Sequence, residues 1–272
     1  MKTTIITSCL LGVAAFQICS LHGALPKSQY YPFAPTDLVA IRAITKAESI
    51  ADSPDLTLAW DLYTKVQGSW KPGSEKPSKQ VVSALDGLKD KLETAPKPQW
   101  ILDHLISGSA PDPHVAFAES IGDATFVDQA DSPAYQSQKA LTIVYLAEHE
   151  IDRPEAADKA GTYLTLLSLK HPWDWQIHGL YSRLLTDAGL QEPSFREAVM
   201  SLYLNPQPKL EDLQFFAFIA ATSKRDQFES IQQIIKETAV DAGTAELAIE
   251  HAAVYFKSKV KFQIVPPTQA AQ

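Results

Sequence analysis

Residues 171–208, HPWDWQIHGLYSRLLTDAGLQEPSFREAVMSLYLNPQP, hold two amphipathic helical stretches bracketed by Pro172 and Pro206, which stand 34 residues apart. Gly189 falls where the first stretch should end. A helical hairpin of this size cannot bury its own apolar face, so neighbouring helices must stack against it. The rest of the chain has to supply them.

It does so in a regular way. The apolar spacing predicts helices over 133–150, 154–170, 173–188, 193–204, 210–223, 226–241 and 244–260. Start signals support several of them: Ser132 before Pro133, Asp226, and Thr244 followed by Glu246. Gly243, like Gly189, reads as a helix end. Upstream, Leu38, Ile41, Ile44, Ala47 and Ile50 predict a helix over 37–51. Leu58, Leu62 and Val66 predict one over 55–67, and Val81, Leu85, Leu88 and Leu92 one over 78–94, with a short helix over 99–106. Residues 115–132 carry the weakest pattern, and connections are long before Ser132 and short after it, so a boundary is expected at Asp131 and Ser132. The one alternating stretch, 262–265, runs into Pro266 and Pro267 and reads as a tail. The expectation is an all-α chain of antiparallel helical hairpins stacked as an α-α superhelix. Its divisions are 1–24, 25–131 (an N-terminal helical region), 132–261 (the repeats) and 262–272 (a Pro-containing tail).

Residues 1–24 read as a secretory signal. Lys2 precedes an apolar run of small residues without charge, and the polar chain begins near Pro26. The apolar core is shorter than the roughly 20 residues of a spanning helix. Cleavage after Gly23 or Ala24 would remove both Cys9 and Cys19 and leave a mature chain without thiols, disulfides or a transmembrane segment. Phe16, Gln17 and Ile18 do not fit the approach to a lipidated Cys19. The expected location is therefore outside the cytoplasm, periplasmic or secreted. A formal net charge of −8 argues against a nucleic-acid partner, because phosphate neutralisation needs a concentrated basic face. The one lysine-rich stretch, 71–97, interleaves Glu75, Asp86, Asp90 and Glu93.

The 34-residue hairpin resembles a tetratricopeptide unit. With Pro172 as the first position, Trp175, Gly179, Phe195 and Ala198 fall on matching positions. His178, Ser182 and Gln191 replace the Leu, Tyr and Ala of that pattern, and Pro206 comes three residues late. The resemblance covers the latter half of the chain. It implies a superhelix whose first helices line a concave groove for a protein or peptide, with Trp173, Gln176 and Arg183 pointing into it. Trp173 reads more readily as a partly buried packing ring than as a ligand contact, since large aromatics mostly supply core area.

Catalytic patterns are thin. His171, Asp174 and His178 share a helical face at metal-ligand spacing, but Pro172 puts His171 ahead of the helix and leaves Asp174 as a first-turn acid. No metal, cofactor or catalytic set is expected. Two other readings stand beside the exported scaffold in bacterial envelope assembly. Glu119–Ser120 looks similar for a few residues to the helix-end pair of lytic transglycosylases, which would make the chain a glycan-processing enzyme. Trp173, Trp175 and Tyr181 could instead line a small-ligand pocket in a helical bundle.

Overall fold

The computed structural model describes residues 52–68, 76–99, 101–102, 133–171, 174–224 and 226–258. The signal segment, the helix expected over 37–51, Glu119–Ser120, Asp131 and Ser132, Trp173 and the tail lie outside these residues. Among the described residues there are nine helices and no strand: α1 Pro54–Gly68, α2 Lys79–Thr94, α3 Pro133–Glu150, α4 Ala156–Lys170, α5 Trp175–Asp187, α6 Gln191–Leu204, α7 Leu210–Ser223, α8 Phe228–Thr238 and α9 Ala242–Lys257. The chain is all-α, and the helices divide into two compact units, α1 to α4 and α5 to α9.

In the first unit α3 is the centre. It is buried on every side, with Tyr135, Leu141, Ile143, Val144, Leu146 and Ala147 enclosed together with the polar Gln136, Gln138, Thr142 and Glu148, so its neighbours surround it. α1, α2 and α4 each pack on it. α1 contributes Leu56, Ala59, Leu62 and Val66, and α2 contributes Leu85, Leu88 and Leu92. The Gln136 side chain on α3 accepts a hydrogen bond from the Ser53 amide at 2.6 Å, which fixes the entry to α1. Ser78 caps α2 by accepting from the Val81 amide. The helices on both sides of the expected boundary thus belong to one unit.

The second unit is built on the α5/α6 hairpin. Gly189 adopts φ +74°, a conformation that disfavours any residue with a Cβ. The amide of Leu190 then donates to the Leu185 carbonyl at 2.8 Å and that of Gly189 to Thr186 at 2.9 Å, the paired bonds of a Schellman turn. Gly179 lets the two helices come close. A Cβ there would lie 3.0 Å from Ser201 Oγ, which itself donates to the Trp175 carbonyl at 2.9 Å. Phe195 and Ala198 are buried between the helices and those that follow. α7 packs on α6, and α9 packs on both α7 and α8. Both α7 and α9 bury small residues, Ala217, Ala220 and Ala221 on the first and Ala245, Ala248 and Ala252 on the second.

Two sequence signals point elsewhere than expected. Gly243 lies in the first turn of α9 instead of ending a helix, because Asp241 caps that helix two residues earlier. Its Oδ1 accepts the Thr244 amide at 2.8 Å and its Oδ2 the Thr244 hydroxyl at 3.0 Å. Asp226 likewise stays outside α8, which opens at Phe228 after Gln227.

Candidate binding face

On α5, Gln176 and Arg183 stand seven residues apart and so share a stripe. Both side chains are half-buried. The Arg183 guanidinium sits 4.6 Å from the centre of the Phe215 ring on α7, an arrangement that holds the cation over an aromatic face. α7 continues the surface. Glu211 is exposed, Phe215, Phe218 and Thr222 are half-buried, and the four recur at helical spacing. On the far side Phe218 meets Tyr255 of α9 edge-on at 5.9 Å, and the Gln214 amide nitrogen lies 2.7 Å from His251 Nδ1. α5, α7 and α9 are thus linked in sequence by Arg183–Phe215, Phe218–Tyr255 and Gln214–His251. The result is a band of half-buried aromatic rings and amides with one guanidinium.

Of the groove residues expected from the sequence, Gln176 and Arg183 fall on this band, and Trp173 lies outside the described residues. Phe215, Gln214, Phe218, His251 and Tyr255 were not anticipated. The stripe along α7 was the available signal, but which neighbour it meets depends on hairpin-to-hairpin packing. Trp175 and Tyr181 are half-buried on α5, and the Trp175 carbonyl serves Ser201.

A polar seam runs between α5 and α6. His178 Nδ1 lies 2.6 Å from Glu197 Oε2, with both side chains buried. One turn on, Ser182 Oγ donates to the Ser194 carbonyl at 2.9 Å, Ser194 Oγ donates to the Ser182 carbonyl at 2.9 Å, and Thr186 Oγ1 lies 2.6 Å from Ser194 Oγ. His178 therefore faces the next helix, not the His171–Asp174 stripe. Asp174 caps α5, accepting from the Gln176 amide at 3.1 Å.

The first unit carries a second polar system. Glu148, buried on α3, accepts from Lys89 at 2.9 Å and from Arg153 at 3.2 Å, and Arg153 also reaches Asp86 at 2.7 Å. Beside it the Tyr145 hydroxyl donates to Glu93 Oε1 at 2.8 Å, and Lys159 lies 3.6 Å from the same carboxylate. Burial pushes the Glu93 carboxyl up, but the Tyr145 hydrogen bond and the Lys159 charge outweigh it and hold the group below its ordinary value. Burial, then the bond to Glu93, pushes the Tyr145 phenol well above its ordinary value. A depressed carboxyl contributes stability that is fully present above the unfolded value of about 4.3 and is lost as pH falls through the lower folded value. Tyr145→Phe removes the donor. Urea unfolding of the variant should show a loss of about 1 kcal/mol at pH 7, small because Glu93 is partly solvated. The difference should shrink as pH falls through the depressed folded value, where the Glu93 carboxyl becomes protonated in the folded as well as the unfolded chain. An equal difference at every pH would mean that the hydroxyl does not act through Glu93.

No helix among the described residues is long and apolar enough to cross a membrane. No protein-family model, curated protein or solved structure matches the chain. The class the structure defines is an all-α protein of mutually packed helices.

Proposed function

We propose that this chain is an exported helical-repeat scaffold whose α5, α7 and α9 face binds a segment of a protein or peptide partner. One observation carries the reading: alternate helices touch. Arg183 joins α5 to α7 and Phe218 joins α7 to α9, while the Tyr203 hydroxyl on α6 donates to Glu237 on α8 at 2.9 Å. First helix meets first helix, and second meets second, as in stacked hairpins of the tetratricopeptide kind. Such stacking leaves the first helices to line one continuous surface. Half-buried rings with amides and a guanidinium suit a peptide backbone and its side chains, because aromatic and arginine anchors dominate interface energetics. The segment at 1–24 supports export to the periplasm or medium.

The test uses a photo-crosslinking residue at Gln176 or Phe215, and at Gln233 on the exposed side of α8 as control. Peptides from an envelope digest should attach at the first two positions and not at the third. Arg183→Glu should weaken capture at least about tenfold, the loss of one anchor. Equal labelling at Gln233 would remove the groove from consideration. Fusion of residues 1–24 to a reporter lacking its own signal should export it, and retention in the cytoplasm would overturn the exported part of the reading.

A further inference from the structure

We infer that the outer stripe of α9 docks a second copy of this chain, antiparallel across a two-fold axis. α9 turns Ala245, Ala248 and Ala252 inward, and its opposite side carries Leu247, Glu250, His251 and Val254, all exposed. These four follow the i, i+3, i+4, i+7 spacing of one helix face. Leu247 and Val254 are 49% and 68% exposed and flank the two polar residues on this face.

The stripe is complementary to itself. A two-fold passing between Glu250 and His251 sets Leu247 against the partner's Val254 and Glu250 against the partner's His251, so each contact is made twice, as an isologous interface requires. A parallel arrangement would set Glu250 against its own copy, a like-charge contact. His251 lies beside the Gln214 amide nitrogen, 2.7 Å from Nδ1 and 3.5 Å from Nε2, and an imidazole N–H at this exposed position can donate to a carboxylate across the two-fold. A single helix pair buries less than a standard interface, so the dimer is weak, with a Kd roughly in the micromolar range or above.

Sedimentation velocity on the full chain over about 1 µM to 1 mM tests this. Dimer formation is expected, and Leu247→Glu and Val254→Glu should each raise the Kd at least about tenfold. Glu250→Lys should also weaken association, whereas the double change Glu250→Lys with His251→Glu should restore it, because the two-fold pairs each new charge with its opposite. These are exposed positions, and unchanged circular dichroism and melting confirm that the variants fold. A monomer across the whole range overturns the proposal, as does a dimer indifferent to these changes or a double variant no better than Glu250→Lys alone. A monomer whose Leu247→Glu variant loses peptide crosslinking also overturns it, and assigns the stripe to the peptide partner.

Discussion

Phe195→Ala is expected to cost about 3–5 kcal/mol, the usual range for emptying a fully buried aromatic site. Phe195 has no exposure, and its ring stacks on the equally buried Phe216 with centroids 5.7 Å apart and planes at 28°. The site therefore joins α6 to α7, where the hairpin meets the helix that follows it. The Lys224 ammonium lies 5.6 Å from the same ring and pairs with Glu192 at 2.6 Å, so the loss also loosens the connection at the end of α7. The surrounding side chains cannot collapse far, since Ala198, Val199 and Ala217 nearby are small and already buried. A domain has only about 5–15 kcal/mol in total, so this one change takes a large share. Urea unfolding followed by tryptophan fluorescence should show a fall in midpoint with little change in slope. Phe195→Leu, which keeps most of the volume, should cost under about 1.5 kcal/mol. An alanine variant within about 1 kcal/mol of the parent would mean that the ring contributes little to holding the two helices together.

Phe195 was legible in the sequence because it falls on a matching position of the 34-residue pattern that the hairpin resembles. Periodicity placed α7 at 210–223 and α3 at 133–150, both recovered without change, because each is bounded by proline or charged residues and is strongly apolar. It failed where a local side chain competes with it. Gly243 read as a terminator, yet Asp241 offers both carboxylate oxygens to Thr244 and starts the helix there. The face proposed for binding was half legible. Gln176 and Arg183 follow from register on a single helix, whereas Phe215, Phe218 and Tyr255 join them only through contacts between hairpins, which no spacing along one helix encodes. Polar partnerships were the least legible. His178 was set beside His171 and Asp174 because all three lie on one helical face, but its partner lies 19 residues ahead on the antiparallel helix. Residues about equally far from Ala188, where the hairpin turns, oppose one another, and pairing polar side chains on that rule would have brought out Glu197 with His178 and Ser194 with Ser182.

Breaking the His178–Glu197 pair on one side only is expected to cost about 3–5 kcal/mol, because either change takes a partner 2.6 Å away from a polar group buried in the hairpin interior. Glu197→Met leaves the His178 ring without its carboxylate, and His178→Leu leaves the Glu197 carboxyl without the imidazole; the two side chains are only 3% and 8% exposed, so water offers little rescue. The double variant His178→Leu with Glu197→Met should behave differently. It substitutes packing for the pair, and such exchanges range from neutral to about 1–4 kcal/mol stabilising. Chemical unfolding of all four proteins closes a double-mutant cycle, and a strong favourable coupling between the two changes is the expected result. Costs that simply add would show the two groups to be energetically independent despite their 2.6 Å separation. The tetratricopeptide pattern places Leu where His178 stands, so the cycle also explains why that substitution can be read only together with its partner. Leucine returned at 178 alone meets a buried carboxylate. Returned with an apolar residue at 197, it meets a surface that matches it, and the neighbouring hydroxyl ladder of Ser182, Thr186 and Ser194 remains to keep the hairpin in register.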